Sequence, residues 1–280
     1  MGLFSRKQSR SEHEKAAQVF AEGYLPVIHY QTAQSVGKTR THNEDALSAF
    51  SANMLTAEAA FSLGLFIVAD GMGGHLNGEV ASNLAVQNVS ASVMRHVFDP
   101  LRLGQKNMAE GEIVEALELA VQTAHEAVMR QVSGGGTTLT AALVVNQMLY
   151  YAHVGDSRLY LSSAHDEFSP LTKDHSVVQR LTELGQISEK EAKEHPSRNV
   201  LFRALGQLEG FKVDVGSHTL HESTRLLLCS DGLWGLVKPG KLNSLATAMT
   251  RDPEAAQKLV DLANDAGGPD NISVILVTIT

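Results

Sequence analysis

Cysteine, tryptophan and aromatic residues in general are scarce in this 280-residue chain: one Cys, one Trp, and 5% aromatic overall. A single thiol, Cys229, excludes an internal disulfide and suits a reducing compartment. No apolar run approaches the roughly 18 residues that a membrane span requires, and no signal-peptide pattern opens the sequence. Met1-Gly2 begins like a myristoylation signal, but Arg6 stands where Ser or Thr is needed. A basic excess is also missing. With 31 acids against 23 Lys and Arg, the net charge is −8, which argues against nucleic acid as a partner and agrees with a site that collects cations. The expectation is a cytoplasmic protein with no membrane span.

What is present is apolar content of 43%, enough for a large core. No Pro- or Ser-rich linker divides the chain, so residues 1–26 read as a polar tail and 27–280 as one domain. Within it, 166–210 is a polar, two-helix excursion of the kind that carries substrate contacts. Strands are expected at 28–36, 46–50 and 65–69, with 53–60 as a hairpin loop. Two amphipathic helices follow, one over 79–98 with Val80, Leu84, Val89, Val93 and Val97 on its face and ended by Pro100, and one over 109–132 with Ile113, Leu117, Ala120, Ala124 and Val128. MLYYAHVGDSRLYLSS reads as two strands about a tight turn. Further strands fall at 212–220 and 225–230, helices near 241–249 and 253–266, and a β-branched, central strand at 272–280. Strands grouped apart from paired helices indicate antiparallel sheets covered by helices, an α+β layered architecture.

The chemistry concentrates at strand ends. FIVAD-G, LLLCSD-G and AHVGD-S each close an apolar strand with an acid beside a small residue, at Asp70, Asp231 and Asp156, and Asp270 sits in GGPDN just before the last strand. A carboxylate at the end of a buried strand is held still, as a metal ligand must be, and each one alone would be an ordinary turn or cap residue. Several gathered at one end of a core repel one another unless cations neutralise them. Oxygen ligands without paired Cys or His favour Mg²⁺ or Mn²⁺ over Zn²⁺. Arg40, in RTHNED beside Glu44 and Asp45, is a surface ion pair by itself and a phosphate grip if it stands next to metals.

RTHNEDA, VADGMGGHLNGEVAS, GGGTTLTAAL, HVGDSRLYL, TKDHS, RALG, LLLCSDGLW and GGPDNISVILV, in this order over residues 30–280, resemble the metal-dependent Ser/Thr protein phosphatases of the 2C type, most closely the bacterial branch. The resemblance implies a four-layer α-β-β-α sandwich and a site for two Mn²⁺ or Mg²⁺ ions, with a third in bacterial relatives. It implies that Asp70 bridges two metals, that the Gly71 carbonyl and Glu44 face the second, and that Asp231 and Asp270 hold the first. Asp45 would orient waters, Asp156 with Asp231 would hold the third ion, and Arg40 would bind phosphoryl oxygens. Gly136, Thr137, Thr138 and Asn271 would support the site. The implied reaction is hydrolysis of phosphoserine and phosphothreonine in proteins by a water that two cations about 3.5–4 Å apart activate, with phosphoproteins and a cognate Ser/Thr kinase as partners.

One departure concerns proton supply. Eukaryotic members carry His after the Asp-Gly, and here Met72, whose thioether has no proton to give, takes that place, while His75 lies nearby in sequence. Competing phosphatase chemistries fail on residues: Gly235, not Arg, is six positions after Cys229, and GGGTTL lacks the Lys of a P-loop. Cys229 therefore reads as a buried strand residue, Trp234 as core packing rather than a substrate platform, and His125, His218 and His221 as packed or solvated. Lys173, His175 and Arg180 in the excursion would steer phosphoprotein substrates or simply be solvated. A silent scaffold should have lost one of Asp70, Asp231 or Asp270, and none is lost. A phosphodiesterase or small-molecule phosphatase on the same site stays open, since substrate choice lives in surface loops.

Overall fold

A computed structural model of the chain describes residues 25–55, 60–73, 76–104, 108–163, 166–208, 211–221, 223–248 and 252–280. The expected tail falls outside them up to residue 24, as does His75.

Side-chain alternation along β3 (Ala60–Met72) sets the layering. Leu63, Leu65, Ile67 and Ala69 point to one side, where they pack with Val89 and Val93 of α1 (Leu76–Val93) and Leu117, Ala120 and Ala124 of α3 (Glu110–Gln131). Phe66 and Val68 point to the other, against Leu226, Leu228, Ile275 and Val277 of a second sheet. All of these are buried, each Val, Leu, Ile and Phe contributing about 1.5–3 kcal/mol of apolar burial. The strand is thus apolar on both faces, as the middle layers of a sandwich require.

Six strands form the first sheet: β2 (Asp45–Leu55), β3, β4 (Gly136–Thr137), β5 (Leu139–Val145), β6 (Met148–Val154) and β9 (Asp214–Thr219), in the order β2-β3-β5-β6-β9 with β4 attached to β3. The second sheet runs β1-β11-β10-β7-β8, from β1 (Ile28–Ser35), β7 (Arg158–Ser162), β8 (Ser169–Pro170), β10 (Thr224–Cys229) and β11 (Ile272–Ile279). Every pairing is antiparallel. β11 lies between β1 and β10, an interior place that suits its β-branched run. Its outer face packs on α8 (Ala255–Asp265) through Leu259, Val260 and Ala263, with Leu242 of α7 (Pro239–Ala248) alongside. Cys229 belongs to this outer cluster and is fully buried. The expected α-β-β-α layering is what the chain adopts.

Four expectations change. The strand expected at 46–50 runs on to Leu55, and β3 begins at Ala60, so the loop between them is shorter than 53–60. Val80 is exposed and Leu84 half-buried, while Val89 and Val93 are buried as expected, with Ala81 and Ala85 completing the buried face of α1. Pro100 does not end the helical run: a π turn over Met94–Phe98 leads directly into α2 (Asp99–Arg102), which contains Pro100. The GDS segment is not a hairpin turn, because β6 and β7 lie in different sheets. Gly155, at φ +108°, carries the chain across, and a side chain there would strike Thr138. The excursion contains α4 (Val177–Glu183) and α5 (Glu189–Glu194), as the pattern suggests.

Candidate metal centre

The layer between the sheets is apolar along its length and turns polar at one rim. On β2, Leu47 and Ala49 face this layer and Asp45 is the next residue of the same parity. On β3 the sequence is Phe66, Val68, Asp70, on β10 it is Leu226, Leu228 and then Ser230 just beyond the strand, and on β11 it is Val277, Ile275, Ser273. Period-2 geometry therefore delivers two carboxylates and two hydroxyls to one edge of the core. Asp45 and Asp70 are register partners across the β2–β3 ladder.

The main chain of Asp70 is held on both sides. Its N–H donates to Thr138 Oγ1 at 2.9 Å, and its carbonyl accepts from Thr138 N–H at 2.9 Å and from Thr137 Oγ1 at 3.0 Å. Thr138 Oγ1 also meets Ser157 Oγ at 2.8 Å, which ties this anchor to the Asp156 segment. Gly71 N–H donates to the Glu44 carbonyl at 3.1 Å, and a Cβ at Gly71 would collide with the carbonyls of Gly78 and Glu44. Only glycine fits, so the Gly71 carbonyl is set by backbone packing.

Glu44 is buried. Its N–H donates to Asn271 Oδ1 at 2.8 Å, its carbonyl accepts from Ser82 Oγ at 2.6 Å, and its carboxylate lies 3.0 Å from His42 Nε2. Asn271 also donates to the carbonyls of Val36 and His42, so one side chain pins the loop carrying Arg40 and Glu44 to the start of β11. Asp45 Oδ2 accepts from Ser230 Oγ at 2.8 Å and Ser273 Oγ at 2.7 Å, joining the two sheets, while its Oδ1 is buried with no partner.

Asp231 starts α6 (Asp231–Trp234), and its Oδ1 is also buried and unpartnered. Asp270 accepts from Arg40 Nη2 at 2.8 Å. Asp156 is buried on the crossing between sheets, and its carbonyl accepts from Trp234 Nε1 at 2.9 Å. Loss of hydration pushes the carboxyls up first, and their mutual charge adds to it. Asp70 is raised well above the usual carboxylate range, by burial and then by Asp45, Asp231, Asp156 and Asp270. Asp45 rises to about 7, Asp231 to about 6 and Asp156 to about 8, each with burial as the first cause and Asp231 or Asp270 as the next charge that raises it. A hydrogen bond from the Asp70 carboxyl lowers Asp231 in part. The Asp270 hydrogen bond raises Arg40.

Mutual charge shows Asp70, Asp156, Asp231 and Asp270 of the strand-end pattern lying near one another, with Asp45, which only the resemblance points to, among them. Arg40 and Glu44 join them on the Asn271-pinned loop. Among the described residues, no three His, Cys, Asp or Glu groups close into a ready-made cation cage. The donor set nevertheless fits a divalent ion: it is all oxygen, short of positive charge, and includes two buried carboxylate oxygens with nothing to bind. Sequence reasoning missed Ser230 and Ser273. Their only signal is the strand parity that puts them level with Asp45 once the sheets are stacked.

Other candidates resolve differently. His175 is buried, with Nδ1 accepting from Gly155 N–H at 3.1 Å and Nε2 meeting Asp214 at 3.0 Å, so it does not face substrate. Lys173 and Arg180 are exposed and both meet Glu183. His125 stacks on Phe211 at 3.7 Å, and His218 and His221 are exposed. Met72 pairs with Gly136 at the end of β3.

The family profile described as Protein phosphatase 2C matches residues 31–272. The serine/threonine phosphatase stp of Listeria innocua serovar 6a is 35% identical over 256 residues, spanning 89% of this chain and 95% of its own. Two solved structures are similar throughout. The S. agalactiae serine/threonine phosphatase has a TM-score of 0.75 at 30% identity, covering 90% of this chain and 99% of the other. The catalytic domain of the serine/threonine protein phosphatase PstP, in complex with two manganese ions, has a TM-score of 0.72 at 31% identity, covering 91% and 99%.

Proposed function

The chain belongs to the protein phosphatase 2C family, and on that footing we propose that it hydrolyses phosphoserine and phosphothreonine in proteins at the carboxylate rim between its two sheets. It is a protein-serine/threonine phosphatase, a metal-dependent hydrolase of the bacterial type. Residues 27–280 act as one catalytic unit. Phosphoproteins made by a partner Ser/Thr kinase are the substrates, and the single buried cysteine suits a cytoplasmic setting. No helix among the described residues is long and apolar enough to cross a membrane.

The observation that carries the reading is the set of mutually repelling carboxyls, two of whose oxygens are buried and left unpaired. Asp70, Asp231, Asp270, Glu44 and the Gly71 carbonyl would hold two Mn²⁺ or Mg²⁺ ions, and Asp156 with Asp231 a third. When bound, such ions supply Lewis acidity that activates water and offsets charge on a phosphoryl group.

The chain's own groups do the rest. Arg40 grips the phosphoryl oxygens with its planar fork, exchanging Asp270 for the substrate as it does so. Asp45, fixed by two serine hydroxyls, keeps one oxygen free to accept from water and so orient the attacking molecule. The proton for the departing Ser or Thr oxygen does not come from Met72.

The test is Asp231→Asn. The variant is expected to fold and to lose Mn²⁺-dependent dephosphorylation of a phosphothreonine peptide. Unchanged turnover would remove the site assignment.

A further inference from the structure

Trp234 is the single tryptophan of the chain, and its position is more specific than core packing. It closes α6 one turn after Asp231, so the two side chains lie near one face of the same short helix. That helix is immobilised: Leu233 is fully buried, Leu233 N–H donates to the Ser230 carbonyl, and a Cβ at Gly232 would strike the Asn271 carbonyl. From this fixed base the indole N–H reaches the main-chain carbonyl of Asp156 at 2.9 Å.

The ring itself is clamped. Arg158 lies over it with the guanidinium carbon 3.6 Å from the ring centroid. Arg158 in turn forks onto Asp174 at 2.9 and 2.7 Å and donates to Tyr160 at 3.1 Å. Asp174 is buried at the root of the excursion, next to His175, whose N–H donates to the Gly155 carbonyl at 2.7 Å. One hydrogen bond thus joins the helix of Asp231 to the segment of Asp156, and an ion pair and a stacked cation fix its donor.

We propose that Trp234 is a positioning residue: its N–H holds Asp156 at the separation from Asp231 at which both carboxylates contact one divalent cation. This rests on the reading of the rim as a cation site. Groups one step removed from a ligand set its orientation, and their loss typically costs about 10- to 100-fold in metal affinity. Trp234→Phe isolates the effect because it keeps an aromatic ring for Arg158 and removes one N–H.

The experiment titrates the full chain with Mn²⁺ alone, following free Mn²⁺ by electron paramagnetic resonance and heat by calorimetry. Trp234→Phe is expected to weaken the weakest saturable step roughly 10-fold and to leave tighter steps within about twofold. In the wild type, Mg²⁺ should change Trp234 fluorescence in parallel with that weakest step. An isotherm that superimposes on the wild type, or equal weakening of every step, overturns the proposal. Should Trp234→Phe fail to fold, Arg158→Lys, which keeps the charge and loses the fork, is read the same way. Wild-type protein that binds no Mn²⁺ overturns the cation reading itself, whereas normal wild-type binding with an unaltered variant overturns this inference alone.

Discussion

Asp45 and Asp70 stand directly opposite each other on adjacent antiparallel strands, both turned into the layer between the sheets. Like charges in that relation destabilise a sheet, and burial compounds the cost. The pair survives because it is held from behind: Asp70 through its backbone by Thr137 and Thr138, and Asp45 through its side chain by Ser230 and Ser273.

That crowding fixes a pH dependence. Asp45 and Asp156 have folded values of about 7 and about 8, above the roughly 3.9 of an unfolded Asp. The folded state therefore binds more protons than the unfolded one up to those values, and stability falls as pH rises through them. His153, lowered to about 3 by burial, acts oppositely, but only below roughly pH 6.5. In a chelator the melting temperature should fall between about pH 6.5 and 8.5, and Mn²⁺ should restore it. A rise across this window without metal would contradict the assignment.

Ser273→Ala removes one of the two hydroxyls on Asp45 and leaves part of a buried carboxylate unserved. The expected loss is about 1.5–3 kcal/mol in urea denaturation, with a lower kcat. Loss of stability with full kcat would show that Asp45 has no part in orienting water.

Arg40→Ala should lower kcat/KM for a phosphothreonine peptide roughly 10- to 100-fold, mainly through KM, since a phosphoryl grip acts in the ground state as well. Arg40→Lys should recover part of the loss, being charged but unable to fork. Steady-state kinetics decides it, and an unchanged KM for both variants would leave Arg40 only its ion pair with Asp270.

Cys229→Ser should leave activity within about twofold while costing about 1–3 kcal/mol, because it places a hydroxyl in an apolar cluster. Burial pushes the thiol up to about 12, so the folded protein should resist iodoacetamide and the unfolded protein should react. Rapid inactivation of the folded protein by this reagent would revive a thiol mechanism.

Asp70, Asp156 and Asp231 are legible in the sequence because each follows an apolar run, a pattern that survives without knowing which strands pair, whereas Glu44, Asp45 and Asp270 stand at or just before strand starts and take roles only from the resemblance. Partners across the sandwich are not legible. Ser230 and Ser273 become visible only when β10 and β11 are laid against β2. GDS resembles a hairpin turn locally, and nothing in its neighbourhood says that β6 and β7 join different sheets. Val80 fits the helical period of its neighbours yet lies off the buried face, since α1 packs inward through small residues that hydrophobic spacing undervalues, Ala81 against Val128 and Val132 and Ala85 in the cluster of β3. His175 sits in a polar stretch and is buried because Asp214 and Arg203, close on the return of the excursion, form a polar cluster with it.

Phe66, Val68 and Asp70 occupy successive same-face positions on one strand. Hardiness and turnover are consequently governed by the same few ångströms of backbone, and any repacking of that strand's inner neighbours displaces the acid at its tip. An engineer seeking a tougher variant gains freedom only in the outer helices, where a change of shape is absorbed before it reaches the chemistry.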